Sequence, residues 1–351
     1  MSSITAELLI DLSKIKKNIC SLKSLIGKDS NFMAIVKSDA YGHDLKKLIV
    51  RIDDIVDAYG VVRLDEAVSL RRHTQKQILL MQGIYDDLEW NIVKDNSINF
   101  VVHDPIQFKF LERRYPGQKF WIKVNTGMNR LGISLDDLKE VLQKAHLQND
   151  DVLMTHLACA DIPDDEMNLL QFANFEKAFS QLNCPIQRSI LNTNGIINFP
   201  QHAYDWVRGG IGMYGGVHHP DLETAMTFRS QIISIRDIQP GDRVGYGGRQ
   251  QAKTKMKIAN VYVGYADGVP QNSIDGTKVL VNDQYAPIFG RVSMDLISVD
   301  ISKIDNCKVG DWVVLWGDNI SINKFAETNS LISYELMTKI SPRVKKTFVE
   351  L

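Results

Sequence analysis

The chain has 351 residues, 44% hydrophobic and 24% charged, with a formal net charge of -1. That length predicts about two domains of an ordinary globular protein. The even charge balance, without a basic tract, argues against a nucleic-acid partner, and no apolar run reaches the ~20 residues that span a bilayer.

Four cysteines, Cys20, Cys159, Cys184 and Cys307, show no C-x-x-C spacing. Reduced thiols are expected, with neither a disulfide framework nor a metal site. Met1 to Asp11 has no charged n-region, long apolar core or small-residue cleavage site, so a cytoplasmic protein is expected.

In chain order, Ala6 to Ile10 predicts a strand, and Leu12 to Ile19 a helix capped by Asp11 or Ser13. Five apolar residues, Phe32 to Val36, then run unbroken into Lys37. A strand covered on both faces reads this way. Tyr41-Gly42-His43 breaks the run, and helical spacing resumes from Asp44. Lys37 therefore falls where a strand ends and a loop begins, the place where barrel enzymes carry chemistry. Apolar walls disfavour an ammonium, and the free amine is the form that attacks a carbonyl. A solvated lysine at a strand end is the alternative on this stretch alone.

Further strands are predicted at 57–62, 77–81, 98–102, 119–124, 151–157, 187–191 and 205–207. Helical patterns separate them at Leu64–Arg72, Asp86–Lys94, Pro105–Arg113, Leu135–Ala145 and Glu166–Leu182. Eight such units predict an α/β chain with a (β/α)8 TIM-type barrel over 1–225. A doubly wound sheet would usually carry a glycine-rich first turn, which is missing. Beyond Phe228 the runs shorten and turns such as Gln239-Pro240-Gly241-Asp242 recur. This predicts a separate C-terminal all-β domain over 226–351, of about a dozen strands.

Ala34-Ile35-Val36-Lys37-Ser38-Asp39-Ala40-Tyr41-Gly42-His43 resembles the pyridoxal-phosphate lysine motif of the alanine racemases. Six further stretches resemble the same family, in order, along nearly the whole chain. The resemblance implies pyridoxal 5'-phosphate as cofactor and L-alanine and D-alanine as substrates. It also implies a homodimer with composite sites and a supply of D-alanine for peptidoglycan. The first strand would cross to the C-terminal domain.

Residue by residue, Lys37 would hold the cofactor and act as one base. Tyr246, in Val244-Gly245-Tyr246-Gly247-Gly248, would be the other, lent by the neighbouring subunit. Arg208, in Trp206-Val207-Arg208-Gly209-Gly210-Ile211, would face the ring nitrogen. His156, in Thr155-His156-Leu157-Ala158, would link Arg208 to the tyrosine. Tyr41, Asn192, Thr193, Gly210 and Ile211 would bind the phosphate, the glycines at 209, 210 and 212 admitting backbone close to it. An N-cap role for Asn192 or Thr193 is compatible with this. Arg130, in Gly127-Met128-Asn129-Arg130, would meet the substrate carboxylate or the cofactor's phenolic oxygen, and the Met294 N–H would take the carboxylate. Tyr265, Asp295 and Arg291 would line the entrance. Lys123 stands where many relatives carry an N-carboxylated lysine. Ile332-Ser333-Tyr334-Glu335 and Ile340-Ser341-Pro342-Arg343-Val344 resemble terminal strand motifs.

The chain departs from that pattern at Pro342, in place of a phosphate-bracing tyrosine, and at Gln271, in place of an entrance arginine. Broader racemases acting on serine or lysine, and a non-catalytic cofactor-holding protein, are the competing expectations.

Overall fold

The protein is described by a computed structural model covering residues 5–182 and 184–349. Two compact units are present, and each is taken separately. One comprises Ile19–Ala40 and Asp44–Met213; the other takes the chain up to Asn18, Tyr41–His43 and everything from Tyr214.

Strand β1 (Glu7–Asp11) belongs to the second unit. The first is built on β2 (Asn31–Ile35), β3 (Ala58–Val61), β4 (Gln77–Leu80), β5 (Asn99–Val102), β6 (Trp121–Lys123), β7 (Val152–Met154), β8 (Gln187–Ser189) and β9 (Trp206–Gly209). They form an eight-stranded sheet in the order β8-β7-β6-β5-β4-β3-β2-β9, and every registered pair is parallel. The sheet closes where β8 meets β9. There the Arg208 N–H donates to Leu191 O at 3.0 Å, and the Ser189 hydroxyl donates to Trp206 O, also at 3.0 Å. All eight strands overlap the apolar runs that predict them, β2 starting one residue early and β9 running two residues beyond.

Strands such as Val152-Leu153-Met154 and Asn99-Phe100-Val101-Val102 are buried throughout. Their side chains fill the barrel and the space beneath the helices, each large apolar one contributing roughly 1.5–3 kcal/mol. Trp121 and Trp206 meet edge to face at 5.6 Å.

The helices follow their caps. Asp86 accepts from the Glu89 N–H to open Asp87–Asp95, and Asp165 accepts from the Met167 N–H to open Glu166–Phe179. Several helical stretches are shorter than expected, Leu135–Ala145 among them at Asp137–Lys144. Pro105–Phe110 is only a 3-10 turn, ended before Pro116, and the 166 helix stops at Phe179. A six-residue helix, Thr193–Asn198, went unpredicted because Asn and Gly at its start read as loop.

The second unit carries β10 (Met226–Ile238), β11 (Arg243–Val244), β12 (Gln250–Gln251), β13 (Met256–Val261), β14 (Lys278–Val281), β15 (Gln284–Pro287), β16 (Ile297–Asp300), β17 (Trp312–Trp316) and β18 (Lys345–Val349). β1 pairs antiparallel with β10 and parallel with β18. Thirteen residues long, β10 also borders β17 and β13. The domain is β-rich but not all-β. Ile322–Thr328 and Ser333–Thr338 are helices, so the expectation of a terminal strand at Ile332–Glu335 fails. Apolar residues at helical spacing explain why. Ile322, Phe325 and Ala326 are buried in the first, Leu336 and Met337 in the second. No helix among the described residues is long and apolar enough to cross a membrane.

Candidate active site

Strand β2 ends at Ile35, and the backbone then enters an unusual turn. Ser38, Asp39 and Ala40 have φ of 55°, 54° and 54°, and Tyr41 has 52°. Four successive non-glycine residues are thus left-handed, at a cost of about 1–2 kcal/mol each. The surroundings hold them there. The Ala40 N–H donates to Val36 O at 3.0 Å, the Ser38 N–H to Glu66 Oε1 at 2.7 Å, and Asp39 Oδ1 accepts from the Leu45 N–H at 2.9 Å. Strain of this kind gathers at functional sites.

Lys37 sits at the head of this turn, half-buried. Burial, then the charge of Arg130, lowers its pKa, while Glu66 opposes them. Glu66 itself is engaged by the N–H groups of Ser38, Val62 and Arg63. Sequence reasoning missed it, because nothing local marks a helix-capping glutamate as the lysine's counter-charge.

Lys123, on β6, is 8% exposed. Burial, then Arg208, Arg130 and Lys37, lowers its pKa to about 8. Four cationic side chains thus share one field, the arrangement that favours anionic ligands.

Arg208, on β9, is fixed from three sides. Its Nη1 donates to Ser189 Oγ at 2.6 Å, and Nη2 donates to Thr155 O at 2.6 Å and Ile190 O at 3.3 Å. Nη2 also lies 3.4 Å from His156 Nδ1. Burial pulls its pKa down to about 10, which leaves it charged at neutral pH. Its Nε–H is buried with no hydrogen-bond partner among the described residues. Such a donor costs about 1–3 kcal/mol unless an acceptor meets it. A pyridine nitrogen that lacks a proton is such an acceptor.

His156 is held neutral. Burial, then Arg208 and the surrounding cations, pushes its pKa well below the usual value. Beneath it runs a buried network that the sequence did not disclose. Gln171 Nε2 donates to His156 O at 2.9 Å and to Thr126 Oγ1 at 3.0 Å, and its Oε1 accepts from the Ala158 N–H at 2.8 Å. Thr126 in turn meets Thr155 at 2.8 Å.

Asn192 caps Thr193–Asn198, accepting from the Gly195 N–H at 2.9 Å. Thr193 Oγ1 accepts from the N–H groups of Gly210, at 2.9 Å, and Gly212, at 3.3 Å. Its own hydroxyl proton is left to donate, whereas the Gly210 amide already has an acceptor inside the protein. Ile211 follows, buried, in the 3-10 turn Ile211–Tyr214. At Gly209 a Cβ would lie 2.1 Å from the Phe32 ring, so packing by itself demands the glycine. Arg130 is exposed beside Asn129, whose φ is 55°.

In the second unit Tyr41 is buried, its ring 4.8 Å from Tyr214 and 6.1 Å from Tyr334. Burial, then Tyr334, raises its pKa and keeps the phenol protonated. Tyr246 is 71% exposed, in a tight turn where Gly245 and Gly247 have φ of 72° and 71°. Tyr265 and Met294 are exposed too, on two loops tied by backbone bonds. Asp295 pairs with Arg343 at 2.8 Å, Arg291 is exposed, and Gln271 lines a pocket with Tyr265. Pro342 is exposed.

A parallel barrel with a half-buried lysine at the end of a strand, ringed by cations, belongs to a class: barrel enzymes that hold an anionic carbonyl cofactor on lysine. Comparison narrows the class. The family models described as "Alanine racemase, N-terminal domain" and "Alanine racemase, C-terminal domain" match residues 10–218 and 225–348. A relative from Shewanella loihica named "Alanine racemase" is 37% identical over 345 residues, covering 94% of this chain and 95% of its own. The solved alanine racemase of Acinetobacter baumannii superposes with a TM-score of 0.93 at 31% identity, over 99% of this chain and 100% of that one. That of Bartonella henselae, with covalently bound pyridoxal phosphate, gives 0.90 at 26% identity, over 98% and 99%. The chain belongs to the alanine racemase family, isomerases that depend on pyridoxal phosphate.

Proposed function

We propose that the protein interconverts L-alanine and D-alanine by a two-base mechanism shared between Lys37 and Tyr246. The observation that carries this is the pairing of a half-buried Lys37, its pKa lowered, with a buried Arg208 whose Nε–H lacks an acceptor among the described residues.

Lys37 would hold pyridoxal phosphate, with Tyr41 and Thr193 donating to its phosphate and Asn192 and Ile211 shaping the loop around them. When bound, that cofactor supplies an electron sink for the pair left behind when Cα loses its proton. Arg208 would face the ring nitrogen. A guanidinium keeps its own proton, so it donates a hydrogen bond there without protonating the ring. The sink stays weak, and a proton lost from Cα is returned quickly.

With substrate bound, the Lys37 amine, in its neutral form, would take the Cα proton on one face or give one back. Tyr246 does the same on the opposite face. Its exposure supports a role in another subunit's site, hence a homodimer. Arg130 and the Met294 N–H orient the carboxylate, and Tyr265, Asp295 and Arg291 restrict the entrance. A carbamate on Lys123 would suit the four-cation field, since an amine whose pKa is lowered to about 8 can add carbon dioxide, release a proton to solvent and become an anion near Arg130. The setting proposed is the cytoplasm, with D-alanine passing to peptidoglycan.

The test is purified protein loaded with cofactor and given each enantiomer of alanine and of serine in deuterated water. Inversion of both alanine enantiomers with deuterium at Cα supports the reading. Faster inversion of serine would make the enzyme a broader racemase, and exchange of neither would refute catalysis.

A further inference from the structure

We propose that Arg343 is a positioning residue for the substrate entrance, a clamp that locks the Tyr265 loop to the Met294–Asp295 loop. The inference rests on the proposed roles of Tyr265 and Met294, but its structural half can be read without them.

Both loops lie in the second unit, and their backbones touch. The Tyr265 N–H donates to Ser293 O and the Ala266 N–H to Met294 O, each at 3.0 Å. A Cβ on Gly264 would lie 2.3 Å from both of those carbonyl oxygens, so only glycine allows the approach. Two backbone bonds thus tie the loops directly.

Arg343 ties the same loops from the side. Its Nε donates to Asp267 Oδ1 at 2.7 Å and its Nη2 to Asp267 Oδ2 at 2.9 Å, a two-pronged pair. The same Nη2 donates to Asp295 Oδ1 at 2.8 Å. One planar guanidinium therefore spans both loops. Asp267 is 5% exposed and also accepts from the Gly264 N–H at 2.8 Å, so that end of the clamp is anchored. The Asp295 end is half-exposed and adjustable.

The clamp also fixes what Tyr265 faces. The Ser341 N–H donates to Asp267 O, and Gly268 packs on the backbone of Lys339 and Ile340. Between the Tyr265 loop and the helix Ser333–Thr338 lies a pocket of about 250 Å³, lined by Tyr265, Gln271, Glu335 and Lys339. Gln271 offers this wall no charge. Arg343 holds this wall through Asp267 instead.

The experiment compares Arg343→Met, Arg343→Lys and Asp295→Asn with wild type, all as cofactor-loaded enzyme. Arg343→Met is expected to raise KM for alanine about tenfold while kcat moves less than twofold and the cofactor absorbance stays unchanged. Arg343→Lys, a point charge that cannot bridge both carboxylates, should fall between. Asp295→Asn should raise KM alone but add nothing in the Arg343→Met background. Backbone hydrogen exchange across 264–271 and 290–296 should accelerate in Arg343→Met. Unchanged KM, or unchanged exchange, overturns the proposal, as does an additive Asp295→Asn. If Arg343→Met fails to fold, Arg343→Lys and Asp295→Asn carry the same comparison. Should wild type prove inactive on alanine, accelerated exchange would still support the clamp, and the proposed function would be what failed.

Discussion

Arg208 Nη2 donates toward His156 Nδ1 across 3.4 Å, so the imidazole accepts from a permanent cation and keeps its own proton on Nε2. That proton can donate to a phenolate, while the positive charge stays on Arg208. His156 thus passes on orientation.

The guanidinium's shape should therefore matter as much as its charge. Arg208→Lys keeps the charge but loses the Nε donor and the three-sided anchoring, leaving Ser189 and Thr155 short of a partner. Alanine turnover is expected to fall about 10²-fold or more, measured as kcat with cofactor occupancy checked by absorbance. Retention of near wild-type kcat would show that charge alone suffices.

Composite sites make a sharper demand. Lys37→Ala should lose the visible absorbance of bound cofactor, while Tyr246→Phe should keep it and lose racemisation, leaving one alanine enantiomer able to exchange its Cα hydrogen through Lys37. Mixed after unfolding and refolding together, the two inactive variants should regain activity, because a mixed dimer holds one intact site. A mixture that stays inactive, though dimeric, would place both bases in one chain.

The pH dependence of stability has a definite sign. Lys123 titrates near 8 in the folded protein against 10.5 for its ordinary value. Between those limits the unfolded chain keeps a proton that the folded chain has released, so stability rises with pH across that window and the penalty is complete below it. The rise totals about 3 kcal/mol. His156 is depressed from 6.5, so stability also falls as pH drops below about 6.5. Tm measured from pH 5 to 10.5 in carbon-dioxide-free buffer should show both limbs. Lys123→Met should flatten the alkaline one, and bicarbonate should do the same if the carbamate forms.

Gly209→Ala tests packing against ligand approach. The added methyl meets the Phe32 ring at 2.1 Å, and overpacking of this kind costs about 1–3 kcal/mol. Denaturant midpoints should fall while cofactor affinity in the folded fraction holds. A variant of full stability with weakened cofactor binding would return Gly209 to the phosphate loop.

Much of this site was legible in the chain. Lys37 ends an unbroken apolar run, and eight such runs at regular spacing announce a parallel barrel, because a strand buried on both faces cannot carry a polar alternation. The helices at 322 and 333 were not legible among short runs, since three buried residues over two turns look the same in a strand-rich context. Nor was the left-handed turn after Lys37, in which no glycine advertises the positive φ.

By itself, then, the sequence determined the barrel, the lysine at its rim and the order of the motifs, because hydrophobic period and turn residues act between near neighbours along the chain. Only the tertiary structure decided that Glu66 answers Lys37, that Gln171 carries the floor beneath His156, that Gly209 answers to Phe32, and that Arg343 grips Asp267 and Asp295. Each of those pairs joins residues far apart in the chain. Their partnership depends on distances of a few ångströms, which appear only when the strands have closed.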